Sequence, residues 1–151
     1  MKKLTLIVLL ATVGGLGWRA FTHDAPDPKL IYDHFWVDHV PRDKHEKFLA
    51  MWLMSEHPVG RFVTRTQWTG QWEEFHYHLL PKTDASMDLL FGNNNERERI
   101  TWSARPCHEN GFDFCLDIAG TSRGTKRYYS KKAWGGQHVN LDAIAASLSA
   151  E

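Results

Sequence analysis

Two groups of residues combine a type and a spacing that could carry chemistry. His76 and His78 are separated by one residue, so a strand would point both imidazoles to the same face. Glu74 falls on that face too, and the three side chains could hold a metal ion. Cys107 and Cys115 are the only cysteines of the chain. They could form a disulfide, remain free thiols or enter a metal site, for which two cysteines alone are too few.

The sequence around the cysteines predicts a β-hairpin that places them opposite each other. Apolar and polar residues alternate on both sides of Asn110-Gly111, a dipeptide that favours a tight turn. A three-residue loop, Asn110-Gly111-Phe112, would set Cys107 directly opposite Cys115 with their Cα atoms about 4.5 Å apart. We therefore predict a Cys107–Cys115 disulfide, a bond that persists in proteins outside the reducing cytoplasm.

Familiar catalytic motifs do not occur in the sequence. There is no Gly-x-Ser-x-Gly, and Ser122 lies in a glycine-rich turn without a recognisable base. Glu73 and Glu74 are adjacent, so a strand would point them to opposite faces, where they could not flank one bond. The segment GTSRGTK lacks the spacing of a phosphate-binding loop. The sequence favours a protein without catalysis or cofactor, and ranks a metal-dependent enzyme using His76 and His78 last.

The N-terminal segment, residues 1–17, has the features of a secretory signal. A basic start and an apolar run over residues 4–13 precede Gly15-Leu16-Gly17, which offers the small residues that a signal peptidase reads. The run is shorter than the ~20 apolar residues that span a bilayer comfortably. Alternatively, Trp18 and Arg19 could hold an uncleaved anchor at the interface. We expect an exported protein, periplasmic or secreted, or one anchored in the inner membrane that faces outward.

Charge gives little indication of a partner. Loss of residues 1–17 removes two of the 18 basic residues and none of the 18 acidic ones, which leaves a net charge of −2. Such a chain has no overall attraction to nucleic acid. Residues 122–134, SRGTKRYYSKKAW, nevertheless set five basic residues among three aromatic ones. In an exported protein they could bind an anionic envelope component, or protect an edge strand from association.

The rest of the chain predicts one mainly β domain, residues 31–151, which follows a linker at 18–30. Apolar and polar residues alternate in short runs that Gly, Asn, Pro or Asp separate. This pattern is typical of an antiparallel up-and-down meander, here of about eight strands. Asn140 can cap a short C-terminal helix over 140–149. The apolar stripe of that helix would consist of Leu141, Ile144 and Leu148.

Residues 44–55 fit both a helix and a strand. Asp43 and Glu46 have the spacing of a capping box before apolar residues at helical spacing, which indicates a helix. The apolar run over 48–54 is continuous and leads into a turn and another strand-like run, which indicates a strand. We favour the strand, because the meander that follows needs strands on which to close.

A meander of this length would tend to close into a barrel, because closure removes exposed strand edges. Export, about eight strands, the run Gly70-Gln71-Trp72 and a terminal helix together resemble the lipocalin-like (calycin) barrels. A basic residue near the end of the last strand is typical of that family, and Arg127 or Lys131 could correspond to it. The resemblance implies a barrel that binds a small apolar ligand or lipid.

Alternation within the strands predicts which side chains would line such a barrel. The inward-facing candidates are Phe75, Tyr77, Trp102 and Phe114, and the resemblance adds Arg127. The leading hypothesis is a non-enzymatic protein that binds a small hydrophobic ligand inside the barrel. The second is a structural or interaction module of the cell envelope with a fully packed core. A cavity lined by aromatic residues would favour the first, and a solid core with an exposed patch the second.

Overall fold

The computed structural model describes residues 25–66, 69–81, 85–136 and 140–148, and these form a closed barrel of eight antiparallel strands. The strands are β1 (Trp36–Val37), β2 (Phe48–Leu53), β3 (Val59–Arg65), β4 (Gly70–Leu79), β5 (Ser86–Phe91), β6 (Arg97–Pro106), β7 (Phe114–Ala119) and β8 (Arg127–Ser130). Strands pair in sequence order, and β1 returns to pair with β8 through Val37 and Tyr129. The predicted mainly β meander that closes into a barrel is confirmed.

In the part of the chain that the structure describes, three short helices accompany the strands. A 3-10 helix, Pro28–Ile31, precedes β1, and a second, Lys132–Trp134, follows β8. Helix α1, Leu141–Leu148, ends the described chain and confirms the predicted C-terminal helix. Asn140 caps α1, because its side-chain oxygen accepts the Ala143 N–H at 3.0 Å. Among the described residues no helix has the length and apolar character to cross a membrane, and the predicted signal at 1–17 lies outside them.

Alternation along the strands separates two hydrophobic cores, one inside the barrel and one outside it. The inner core contains Ile31, Trp36, Met51, Leu53, Phe62, Phe75, Met87, Leu89, Phe91, Ile100, Trp102, Ala104, Leu116, Ile118 and Tyr128. The outer core contains Phe35, Val37, Phe48, Ala50, Phe112, Trp134, Ile144 and Leu148. Helix α1 supplies the last two of these, so it packs on the outside of the barrel.

Strand β2 resolves the ambiguity of residues 44–55. Its side chains point alternately to the two cores, with Met51 inside and Ala50 outside, so both faces are buried. A strand buried on both faces needs a continuous apolar run. Such a run is also compatible with a buried helix, so the sequence pattern alone did not distinguish the two. The capping residues Asp43 and Glu46 do form the predicted kind of hydrogen bond, but no helix follows them. The Asp43 carboxylate accepts the N–H groups of His45 and Glu46 at 2.7 and 3.1 Å, and these bonds close only a turn.

The β6–β7 hairpin contains the predicted disulfide in a register that differs from the predicted one. Cys107 and Cys115 are bonded, with their Cα atoms 5.7 Å apart. Cys115 pairs with Arg105, whereas we predicted that it faces Cys107, so the predicted register is wrong by two residues. The cause is a longer loop, since Cys107 donates its backbone N–H to Asp113 at 2.8 Å. Because a shift of two residues preserves the face of every side chain, the cysteines still meet diagonally.

The turn of this hairpin is built on Asn110 and Gly111. Their φ angles are 54° and 77°, and Phe112 donates its N–H to the Glu109 carbonyl at 3.0 Å, as in a type I′ turn. Phe112 therefore leaves the strand alternation. Its ring stacks on Tyr129 at 5.2 Å in the outer core.

Loss of the disulfide should destabilise the domain measurably. The bond closes a loop with a sequence separation of 8 residues, for which the chain-entropy account gives about 2.5 kcal/mol. We expect the double variant Cys107→Ala, Cys115→Ala to unfold at a lower urea concentration than the oxidised protein. Its free energy of unfolding should be lower by about 2.5 kcal/mol. Reductant should lower the midpoint of the native protein and leave that of the double variant unchanged. Equal midpoints for the oxidised and reduced native protein would contradict this expectation.

His34 is held in an apolar contact between the start of β1 and the second 3-10 helix. Its ring lies 5.2 Å from Phe114 and 5.9 Å from Trp36, and it covers Gly135, where a Cβ atom would lie 2.5 Å from the imidazole. Its Nδ1 is buried and has no hydrogen-bond partner among the described residues. Burial lowers the pKa of the imidazole, and the nearby Asp33 carboxylate offsets only part of this effect.

This environment predicts acid sensitivity. Because the folded pKa of His34 lies below the ordinary histidine value of 6.5, the unfolded chain binds the proton more readily, and stability falls as the pH drops below that value. We expect His34→Gln to reduce the slope of unfolding free energy against pH between about 7 and 5. The control His76→Gln changes an exposed ring and should leave the slope as it is. Identical slopes for the native protein and His34→Gln would contradict the assignment.

Candidate functional site

The four aromatic residues predicted to line a pocket lie in or against the inner core. Phe75 is fully buried, Trp102 is 5% exposed, and Tyr77 and Phe114 pack against the same cluster. The polar atoms of two of them bind backbone: the Tyr77 hydroxyl donates to the Met54 carbonyl at 2.6 Å, and the Trp102 indole donates to Pro28 at 3.2 Å. The contacts that the structure shows for these side chains are thus with other parts of the barrel.

Aromatic rings fill the middle of the barrel. Phe62 lies 5.1 Å from Phe75 and 6.3 Å from Phe91, and Phe75 lies 5.6 Å from Phe91. Gly60 makes room for this cluster, because a Cβ atom there would lie 2.4 Å from the Phe75 ring. An eight-stranded barrel has an interior that side chains alone can fill.

The first 3-10 helix closes one end of the barrel. Ile31 is fully buried in the inner core, and its carbonyl accepts the Trp36 indole N–H at 3.1 Å. Just before the helix, Asp27 donates its N–H to the Ala104 carbonyl of β6 at 2.7 Å. Part of the segment predicted as a linker, residues 18–30, therefore packs on the barrel.

Arg123 closes the opposite end. Its guanidinium lies over the Phe91 ring at 3.8 Å and binds three carboxylates: Glu73 at 3.1 Å, Glu96 at 2.8 Å and Glu98 at 2.7 Å. The Arg123 side chain is only 16% exposed. Its planar fork of five donors suits several carboxylates at once, and its face suits an aromatic ring. We call this arrangement the Arg123 plug.

The ion pairs of the plug shift the pKa values of its members in the stabilising direction. The hydrogen bonds that Arg123 donates to Glu96 and Glu73 raise the pKa of Arg123, and the Arg123 side chain lowers the pKa of Glu96. Burial acts to raise the pKa of Glu98. Hydrogen bonds from Thr121, Ser122 and Arg123 outweigh it, so that the pKa is lowered. Glu96 and Glu98 are therefore held in the charged form that Arg123 binds.

A glycine-rich loop, residues 120–126, positions Arg123 over the barrel. Gly124 has a φ of 67°, and a Cβ atom there would lie 1.8 Å from the Tyr128 hydroxyl. That hydroxyl accepts the Thr125 N–H at 3.0 Å, and burial raises the pKa of Tyr128 to about 12. Strand β8 therefore begins only at Arg127, because the preceding residues belong to this loop.

Among the surface clefts at this end of the barrel, two share lining residues. The first has a volume of about 310 Å³ and is lined by Lys47, Thr64, Arg65, Thr66, Thr69, Gly70 and Gln71. The second has a volume of about 260 Å³, and Arg123, Asn93 and Trp72 are among its lining residues. Thr64 and Gln71 line both clefts. The two therefore form one groove at this mouth of the barrel, which we call the mouth groove.

The two arginines of the basic stretch at 122–134 are paired with carboxylates within the fold. Arg123 belongs to the plug, and Arg127 binds Asp117 at 2.6 Å and Glu109 at 3.5 Å. Arg127, which the family resemblance suggested as a ligand-binding residue, begins β8 and is tied to these two carboxylates. Lys131 lies 5.5 Å from the Trp134 ring.

The candidate metal ligands lie apart from the mouth groove, on the outer face of β4. His76 and His78 are exposed, and Glu74 binds Arg61 at 3.0 Å. Within the described ranges no group of three or more His, Cys, Asp or Glu residues is arranged to hold a metal ion.

Sequence reasoning missed the Arg123 plug and the mouth groove. Glu73 belongs to β4, Glu96 and Glu98 lie at the start of β6, and only the closed barrel brings them to one arginine. One signal was present: Gly120 and Gly124 bracket Arg123, and both adopt positive φ angles, 93° and 67°. Such spacing indicates a shaped loop rather than a strand.

The likeness to lipocalin-like barrels is one of architecture. The closed, antiparallel, eight-stranded barrel is consistent with it. The Gly70-Gln71-Trp72 run begins β4, and the Trp72 ring is 62% exposed, with Arg61 over it at 4.7 Å. Comparison of the chain with protein-family models, curated proteins and solved structures found no match.

Proposed function

We propose that this protein is a non-enzymatic binding module of the cell envelope. In this proposal the barrel is a packed scaffold, and the partner binds to its outside. The filling of the barrel interior is the observation that carries the proposal. Fifteen buried residues form the inner core, the Phe62, Phe75 and Phe91 rings meet in its middle, and both ends carry a closing element.

A hydrophobic-ligand carrier is the competing proposal. An apolar ligand within the barrel would have to separate the ring cluster and displace either the 3-10 helix or the Arg123 plug. Protein cores are close-packed, so a core of buried side chains yields little space without a loss of favourable contacts. A closer kinship with the calycins belongs to the same competing proposal, and its support is the barrel architecture together with the helix on its outside.

The mouth groove is the part of the surface best suited to a partner. It is concave and combines hydroxyl, amide and cationic side chains with an exposed tryptophan at its rim. Contact of residues 122–134 with an anionic envelope component has weaker support, because the two arginines of that stretch are already bound to carboxylates.

We also propose that the domain works outside the cytoplasm. The Cys107–Cys115 disulfide supports this location, because cytoplasmic thiols are kept reduced. Fractionation of cells that produce the full chain, followed by intact mass measurement, tests it. A periplasmic or secreted protein that begins at Trp18 would support export with cleavage, and a membrane-bound protein of full mass would support the uncleaved anchor. A reduced protein in the cytoplasm would contradict the proposal.

Native mass spectrometry of the exported protein, with an organic extract of the same sample, distinguishes the two functions. We expect a mass that corresponds to the polypeptide with one disulfide, and an extract without a stoichiometric apolar compound. A lipid or other apolar molecule that is released only on denaturation would contradict the packed-module proposal. Zinc that is bound to the native protein and lost from His76→Ala would contradict it in favour of a metal protein.

A further inference from the structure

The hairpin of β3 and β4 presents the most exposed large apolar side chain among the described residues. Trp72 is 62% exposed and lies on the outer face of β4, opposite Val63 of β3. Strand β5 does not reach this level of the barrel, because its last residue, Phe91, pairs with Phe75. The Trp72 ring therefore has a neighbouring strand on one side only.

Trp72 is the end of a continuous apolar row. The strand register joins Val37 of β1, Ala50 of β2, Val63 and Trp72 across the outer faces of four strands. Val37 and Ala50 are buried in the outer core, and Val63 packs against that core. The row is thus covered at one end and uncovered at the other. Isolated exposed apolar residues are common, whereas an exposed extension of a buried core is typical of an interaction surface.

Two opposite charges lie beside this row, on the same outer face. Arg61 and Glu74 are register partners on β3 and β4, and their side chains form an ion pair at 3.0 Å. The guanidinium of Arg61 also lies 4.7 Å from the centre of the Trp72 ring. The two charged side chains are 40% and 38% exposed, so each is accessible to an opposite charge on another molecule.

The pairing of β3 with β4 makes this face complementary to itself. A two-fold axis that runs parallel to the strands, between β3 and β4, would bring each residue of one strand opposite its register partner in a second copy. Trp72 of one copy would then face Val63 of the other, and Arg61 would face Glu74, with each contact made twice. Apolar groups meet apolar groups and positive charges meet negative ones. This complementarity favours a second copy of the chain over a partner of another kind.

We propose that the outer faces of β3 and β4 form a two-fold interface between two copies of this protein. The inference goes beyond the proposed function and does not depend on the partner that the mouth groove binds. Because the surface of a barrel curves away on both sides, the contact is confined to these two strands. Interfaces of small area are weak, and we expect a dimer with a Kd of about 10 to 100 µM.

Analytical ultracentrifugation of the exported protein tests the interface. Over a range from about 1 µM to about 1 mM, the native protein should change from monomer to dimer. Trp72→Ser should weaken the dimer about tenfold or more, because a central aromatic side chain carries much of the binding free energy of an interface. The control Leu79→Ser changes an exposed apolar residue at the other end of the same strand and should leave the Kd unchanged.

Charge-reversal variants test the two-fold geometry. Arg61→Glu would set acidic groups opposite each other in its dimer, and Glu74→Arg would set basic groups opposite each other. Each variant alone should therefore associate about tenfold more weakly than the native protein. In an equal mixture, the acidic pair of one variant would face the basic pair of the other, and dimers should form with a Kd close to the native one. A change in folding stability would not produce this rescue.

Three results would overturn the inference. They are a native protein that stays monomeric up to about 1 mM, a dimer that Trp72→Ser leaves intact, or a mixture of the two charge variants that associates no better than either variant alone. A monomeric protein that binds phosphatidylglycerol vesicles through Trp72 would assign the face to a membrane and would likewise overturn the inference. These results are independent of whether the barrel interior is packed.

Discussion

Replacement of Phe75 by alanine should lower the free energy of unfolding by about 3 to 5 kcal/mol, the largest loss that we expect from one substitution. Phe75 is fully buried, and its ring contacts Phe62 and Phe91. It also lies over Gly60, which has no side chain with which to refill the space. The cavity should therefore persist, and a persistent cavity adds its own cost to the lost burial. Urea unfolding followed by tryptophan fluorescence measures the loss.

Leu79→Ala is the matched control for this substitution. Leu79 lies on the same strand but is 49% exposed, so its truncation should cost less than about 1 kcal/mol. A similar small cost for Phe75→Ala would mean that the interior is loosely filled and would contradict the packed-core account.

The cavity left by Phe75→Ala should also bind a small apolar molecule. Its walls would be Phe62, Phe91 and neighbouring aliphatic side chains, and an apolar cavity of this kind stays dry. Benzene should raise the melting temperature of Phe75→Ala, because a ligand that binds only the native state stabilises it. The native protein should show no such rise.

Replacement of Arg123 by alanine should cost about 3 kcal/mol, because it leaves three carboxylates near one another at a partly buried site. Glu98 is the most affected of them, with a side chain only 11% exposed. The substitution also uncovers the Phe91 ring. Arg123→Lys should recover only part of the loss, since a lysine cannot bind several carboxylates through a planar fork.

Arg99→Ala is the control for the plug. Arg99 binds Asp88 at 2.7 Å on the outer surface, where the arginine side chain is 65% exposed. Exposed pairs of this kind contribute little, so the unfolding midpoint should barely move. If Arg123→Ala proved as mild as Arg99→Ala, the plug would not be a structural closure of the barrel.

Acid should reduce the difference between the native protein and Arg123→Ala. The folded pKa values of Glu96 and Glu98 lie below the ordinary glutamate value of 4.5, so their stabilising effect is present above that pH and is lost as the pH falls through the folded values. We expect the two proteins to differ most near neutral pH and to converge at acidic pH. A difference that is constant over the whole pH range would argue against ion pairing as its cause.

The local patterns of the sequence predict much of the fold. Alternation in β6 and β7 gives the correct faces for Trp102 and Leu116, and Asn140 begins the helix that it was expected to cap. These features depend on neighbours a few residues apart, for which periodicity and capping are direct signals. Strand β2 was harder because both of its faces are buried, which removes the alternation.

Features that depend on distant residues were not predictable in the same way. The observed register of the cysteine hairpin differs from the predicted one by two residues. A shift by an even number of residues keeps every side chain on its face, so the apolar pattern cannot distinguish the two registers. Arg123 looked like one member of a basic stretch, because its partners Glu73 and Glu98 lie far away in sequence. Closure of the ends likewise depends on which segments meet across the barrel.

Crystals of the native protein and of Phe75→Ala, pressurised with xenon, would test the packed interior most directly. Xenon enters dry apolar cavities and is visible in diffraction. We predict no xenon among the inner-core residues of the native protein, and one site beside Phe62 and Phe91 in Phe75→Ala. A xenon site inside the native barrel would contradict the packed scaffold and restore the hydrophobic-ligand carrier as the better account.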